Sequence, residues 1–233
     1  MKIFKILFTT AFFAFISLSC LNAQNLNNEA SVSGKKSTAQ EHIAKGAAEM
    51  KAKNVEGAIA EYRKALEQDK NNSAIYLRIA MAQRTIDEDG AIATFEQITT
   101  MEGAKPGDVA TAKKQVAAVY LKRAAAAQSK RDWNVMYENA QKAIGYDSAN
   151  MQGFRLLTVS TIELKKWEET IEACEAVLNK EPAVRDKNAI IYRLATAYEN
   201  LKDNAKACSY YRQLAGDTNL KSSVERKIQT LCQ

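Results

Sequence analysis

Two tryptophans 34 residues apart constrain this chain more than any other feature. Lys130-Arg131-Asp132-Trp133 aligns with Leu164-Lys165-Lys166-Trp167, and the register continues on both sides. Tyr120 falls over Phe154, Met136 over Thr170, Ala140 over Cys174 and Ala143 over Val177. A chain that repeats at a fixed short period builds one supersecondary unit several times and buries its core between neighbouring copies. Only 2 Pro and 9 Gly in 233 residues argue against an all-β sandwich or barrel, which needs a turn signal about every dozen residues. Helix remains, and a period of 34 has room for two helices and their turns.

The repeat extends in both directions. Near the start, GAIAEYRKALEQDKNN carries Ala58, Tyr62 and Ala65, spaced by four and three so that all three share one helical face. The next copy has Tyr76, Ile79 and Ala80, then Ala91 and Phe95, and is one residue short in its inter-helix turn. Near the end, YRLATAYENLKDNAKACSYYRQL gives Leu194, Ala195 and Tyr198, then Ala207, Tyr211 and Leu214.

These spacings resemble the tetratricopeptide-repeat family over nearly the whole of residues 39–233. The resemblance implies an all-α, right-handed superhelical solenoid of about five helix-turn-helix repeats, at about 39–72, 73–105, 117–150, 151–184 and 188–221. The family's unit-closing proline survives only as Pro182. Its close-packing glycine survives only as Gly46, with Ala80, Ala124, Thr158 and Ala195 as small replacements. Met101 to Gln115 exceeds the period and reads as an insertion in which Asp108 caps a lengthened first helix. Leu220, Val224, Ile228 and Leu231 recur at helical spacing, so 220–231 reads as a capping helix over the last apolar face.

The aromatic residues at 62, 95, 120, 154, 198 and 211 are expected in the core. Partner binding in this family comes from a concave groove lined by first helices. The matching positions here are Ile43, Met50 and Lys51, then Leu77, Met81 and Arg84, then Leu121 and Gln128, then Arg155, Val159 and Glu163, and finally Tyr192, Thr196 and Glu199. This lining is apolar with Met at one end and more acidic and polar at the other. It suits an extended peptide or an amphipathic helix of a partner protein. The resemblance also excludes one known mode. Chaperone-binding members clamp a terminal carboxylate with Lys and Asn at groove positions, and Ile43, Ala47, Leu77 and Met81 stand there instead.

The first residues read as an export signal. Lys2 and Lys5 precede an apolar run from Ile6 to Leu18, shorter than the ~20 residues needed to span a bilayer. A signal peptide of 1–23, cut after Ala23, would leave a polar linker, 24–38. The alternative is lipidation of Cys20, although Ser17 holds the place where Leu is usual, and only then is membrane attachment expected. Cutting after Ala23 leaves 31 basic and 27 acidic residues. Those charges are interspersed, with no tract suited to nucleic acid. Cys174 falls on a packing position, whereas Cys208 and Cys232 could pair in an oxidising compartment.

Catalysis is not expected. His42 is the only histidine, and neither the four cysteines nor pairs such as Glu168-Glu169 form a metal-ligating or acid/base arrangement, so no cofactor, metal or catalytic residue is assigned. The expectation is an exported protein–protein interaction scaffold of the cell envelope, periplasmic or anchored at the outer membrane. The alternatives are a lipid-anchored subunit of an envelope assembly machine, or a small-ligand receptor or enzyme using the groove. Oligomeric state is not legible in the sequence.

Overall fold

The computed structural model describes residues 38–233. The expected leader with its expected cleavage site, Cys20 and all but the last residue of the expected polar linker lie outside that range. Among the described residues every regular element is a helix. They are α1 (38–51), α2 (Val55–Gln68), α3 (Ser73–Gln83), α4 (Glu88–Thr100), α5 (Pro106–Lys130), α6 (Trp133–Tyr146), α7 (Met151–Glu163), α8 (Trp167–Lys180), α9 (Lys187–Asn200), α10 (Asn204–Gln213) and α11 (Lys221–Leu231). The described residues divide into two compact units, 38–109 and 110–233.

Four of the five pairs are closed by the same backbone device. Lys53, Arg131, Lys165 and Lys202 follow the first helices of pairs one, three, four and five, and all four hold a left-handed φ of 57–66°. That conformation turns the chain so that the next N–H reaches back five residues: Asn54 to the Glu49 carbonyl, Asp132 to Ala127, Lys166 to Thr161 and Asp203 to Tyr198. The residue after the turn then caps the second helix. Asn54, Asp132 and Asp203 accept from the backbone N–H groups of Gly57, Val135 and Lys206. Lys166 holds the same place without a side-chain cap. Pair two keeps the cap, Asp87 accepting from Gly90, but has no left-handed residue. Twelve positions separate Gly46 from Ala58 and Ala195 from Ala207, against eleven from Ala80 to Ala91. The missing residue is the one that turns left-handed elsewhere.

Small residues let the paired helices approach. A β-carbon on Gly46 would lie 2.5 Å from Cε1 of the Tyr62 ring, and Ala80, Ala124, Thr158 and Ala195 are fully buried. In the first unit the core gathers Ala58, Ile59, Tyr62, Ala65, Ile75 and Ile79 from α2 and α3, with Ile43 and Met50 of α1 packed against it. In the second unit, one cluster joins α5, α6 and α7 through Ala124, Ala127, Met136, Ala140 and Leu156. A larger one runs from Cys174 through Leu194, Ala207 and Tyr211 to Val224. Leu220, Ile228 and Leu231 lean on that cluster, so α11 covers the apolar face of α10.

Two expectations change in detail. Phe95, Tyr62, Tyr198 and Tyr211 are buried, but Tyr120 and Phe154 are only half-buried. Tyr120 stacks on Tyr146 with Lys142 and Arg123 over its ring, and Lys180 lies over Phe154. Asp108 does not cap α5. The helix begins two residues earlier at Pro106, whose missing N–H costs nothing in a first turn. Asp108 instead accepts a hydrogen bond from the buried Ser73 hydroxyl at 2.6 Å, while the Lys105 N–H donates to that same hydroxyl.

Candidate functional site

Some of the expected groove residues gather at clefts and others hold helices together. In the first unit, Met50 of α1 and Leu77 and Met81 of α3 line a cleft of about 270 Å³ with Tyr62, Arg78 and Ala82. Met50 comes from the first helix of pair one, and Leu77 and Met81 from the first helix of pair two. Met81 is 39 % exposed, unusual for a large apolar side chain. Ile43 and Lys51 lie on α1, and Arg84 follows α3; none of the three lines this cleft. The neighbouring His42 Nδ1 is 2.7 Å from Glu61 Oε2, tying α1 to α2. Hydrogen bonds from Lys64 and then His42 hold the Glu61 carboxyl down at about 2.

In the second unit, Gln128, Arg155 and Val159 line a larger cleft of about 550 Å³. Its other walls are Gln152, Leu156, Arg185, Asp186 and Arg193. The three arginines make this cleft basic, a property that the first-helix positions alone did not reveal. Arg155 donates to Glu181 at 2.9 Å and to Gln152 at 3.2 Å, and Arg193 donates to the Thr158 hydroxyl at 3.4 Å. Arg185 arrives through an irregularity of the repeat. Thr158 and Ala195 are 37 residues apart rather than 34, and the excess falls in the segment joining α8 to α9. That excess was the available signal.

The acidic end is engaged within the protein. Glu199 accepts hydrogen bonds from the Tyr211 hydroxyl of α10 and from Lys227 of α11. Thr196 also contacts the Tyr211 hydroxyl, and Tyr192 meets the Tyr211 ring edge-on at 5.7 Å. Burial raises the Tyr211 hydroxyl, so it stays protonated and can donate. Tyr192 and Thr196 thus join α9 to α10, and Glu199 ties that pair to the cap through Lys227. Leu121 packs on the α5–α7 cluster, and Glu163 is exposed at the end of α7.

Cys208 and Cys232 are joined by a disulfide with their Cα atoms 5.5 Å apart, linking α10 to the end of α11. Cys174 is a buried free thiol, pushed up to about 12 by desolvation. It carries no thiolate at neutral pH. Among the described residues no group of three or more His, Cys, Asp or Glu is placed to hold a metal ion, and no helix is long and apolar enough to cross a membrane.

Residues 189–217, which span α9, the left-handed turn at Lys202 and α10, match the family model described as Tetratricopeptide repeat. The fifth helix pair is similar to a tetratricopeptide repeat. No curated protein matches the chain. Solved structures resemble it at low identity. A crystal structure of MamA protein is 18 % identical, covering 80 % of this chain and 94 % of that one, with a TM-score of 0.43. The TPR2AB-domain:pHSP90-complex of yeast Sti1 is 17 % identical, covering 85 % and 100 %, also at 0.43. YrrB, described as a TPR protein with an unusual peptide-binding site, is 14 % identical, covering 85 % and 95 %, at 0.42. At these values the similarities carry no inference about function.

Proposed function

We propose that this chain is an exported interaction scaffold of the cell envelope, without catalysis, that captures a segment of another protein on the faces of its first helices. The observation that carries this reading is the cleft of Met50, Tyr62, Leu77 and Met81. Met50, Leu77 and Met81 are supplied by successive first helices, and an exposed Met at such a place adapts to an apolar partner side chain. Export rests on the leader pattern of Lys2, Lys5 and Ile6 to Leu18, and the Cys208–Cys232 bond suits an oxidising compartment. Attachment to a membrane follows only if Cys20 is lipidated.

Leu77→Glu combined with Met81→Glu tests the reading. Both side chains are at least partly exposed, so helicity and melting should hold while partner recovery after crosslinking in the native envelope falls by about tenfold or more. Full recovery by the folded double variant would refute the assignment of this cleft. Mass spectrometry of the mature N-terminus distinguishes Gln24 from acylated Cys20.

A further inference from the structure

We infer that the second-unit cleft receives an acidic segment of the partner, its Asp or Glu carboxylates held by Arg155, Arg185 and Arg193. This rests on the scaffold reading and specifies the chemistry of what is captured. Three guanidinium groups from three separate stretches, α7, the α8–α9 segment and α9, line one cleft of about 550 Å³. Asp186 is the single carboxylate among its lining residues. The existing bonds leave the arginines underused. Arg155 spends one nitrogen on Glu181, a pair whose side chains are 32 % and 38 % exposed, and another on Gln152. Exposed pairs of that kind contribute little and exchange readily with a second carboxylate. Arg193 has one long bond to Thr158. Arg185 is exposed and has no side-chain partner among the described residues.

Each guanidinium carries five N–H donors in a planar fork that matches a carboxylate, so most of the donor capacity here is unspent. The floor is apolar, formed by the buried Leu156 and the half-buried Val159. Carboxylates flanking an apolar side chain therefore complement the cleft better than a purely acidic run. The extra residues between α8 and α9 are what bring Arg185 to the rim, so the lengthened connection gains a role beyond spacing.

The test uses the full chain and a fluorescein-labelled peptide with a central Glu-Leu-Glu between Gly-Ser flanks. Its C terminus is amidated so that no terminal carboxylate takes part. By fluorescence anisotropy it should bind at least about tenfold more tightly than the Gln-Leu-Gln counterpart and weaken as salt rises. Arg155→Gln and Arg193→Gln should each cost about tenfold. Arg185→Gln, at an exposed position that supports no packing, should weaken binding as well and keeps the test decisive should either of the others unfold. Equal binding of the two peptides, no binding of either, or unchanged binding to Arg185→Gln would overturn the inference. So would displacement of the peptide by inorganic phosphate at far lower concentration than by free glutamate, which would assign the cleft to phosphate groups. Any of these results leaves partner capture through Leu77 and Met81 standing, because that cleft lies in the other unit and is probed separately.

Discussion

At the scale of single residues, the left-handed turns show how a local cost is accepted for a repeated geometry. An L-residue in that conformation loses about 1–2 kcal/mol, yet Lys53, Arg131, Lys165 and Lys202 all adopt it. A long basic side chain has no branch at Cβ, and at Lys165 it remains exposed to water. Lys165→Gly should therefore stabilise the protein by up to ~1 kcal/mol, since relief of strain outweighs the added freedom of the unfolded chain. Lys165→Val should destabilise it by ~1–2 kcal/mol, because a β-branched residue fits that region worst. Urea denaturation measures both, and identical midpoints for Gly and Val would mean that the turn does not hold a left-handed residue. The same side chains made these positions hard to read. A glycine would have announced the turn, whereas a lysine beside Lys166 or Asp203 looks like ordinary helix surface.

Between elements, the deciding quantity is how closely two helices approach. Gly46 shows it best. Elsewhere in an exposed helix, Gly→Ala would gain up to ~1 kcal/mol of helix propensity. Here the new methyl would meet the Tyr62 ring at 2.5 Å, and Tyr62 is 3 % exposed, so the ring has little room to withdraw. Overpacking of this kind costs ~1–3 kcal/mol. Gly46→Ala should therefore lower stability by about 1 kcal/mol despite its better propensity. A rise in the melting temperature would show that α1 and α2 are not in close contact there. The spacing of Gly46, Ala58, Tyr62 and Ala65 made this contact legible in advance. The start of α5 was less legible, because Asp108 has the chemistry of a cap. Only the position of Ser73, 35 residues earlier, shows that its carboxylate is engaged across the first unit.

For the molecule as a whole, the exposed end of a helical stack has to be closed and kept closed. α11 covers Tyr211 and Leu214, Lys227 bonds Glu199, and the Cys208–Cys232 bond prevents the cap from leaving. Its 24-residue separation limits the unfolded chain, so Cys208→Ser with Cys232→Ser should cost ~2–4 kcal/mol. Peptide mapping of alkylated protein provides an independent check. Cys208 and Cys232 should label only after reduction and Cys174 only after unfolding; labelling of all three in the native, unreduced protein would contradict the arrangement.

The repeat period, the small positions, the buried aromatic residues Tyr62, Phe95, Tyr198 and Tyr211 and the capping helix were open to reading from the amino-acid order alone. Local spacing dictates which face of a helix is apolar, and an apolar face must be buried against a neighbouring copy. Which polar side chains remain available was decided only in three dimensions. Glu199 and Arg155 both stand at first-helix positions, but Tyr211 and Lys227 occupy Glu199, while Arg155 joins Arg185 and Arg193 at one cleft. Periodicity reports the face of its own helix. The partners that consume or share a charge come from connections and helices that lie elsewhere in the sequence.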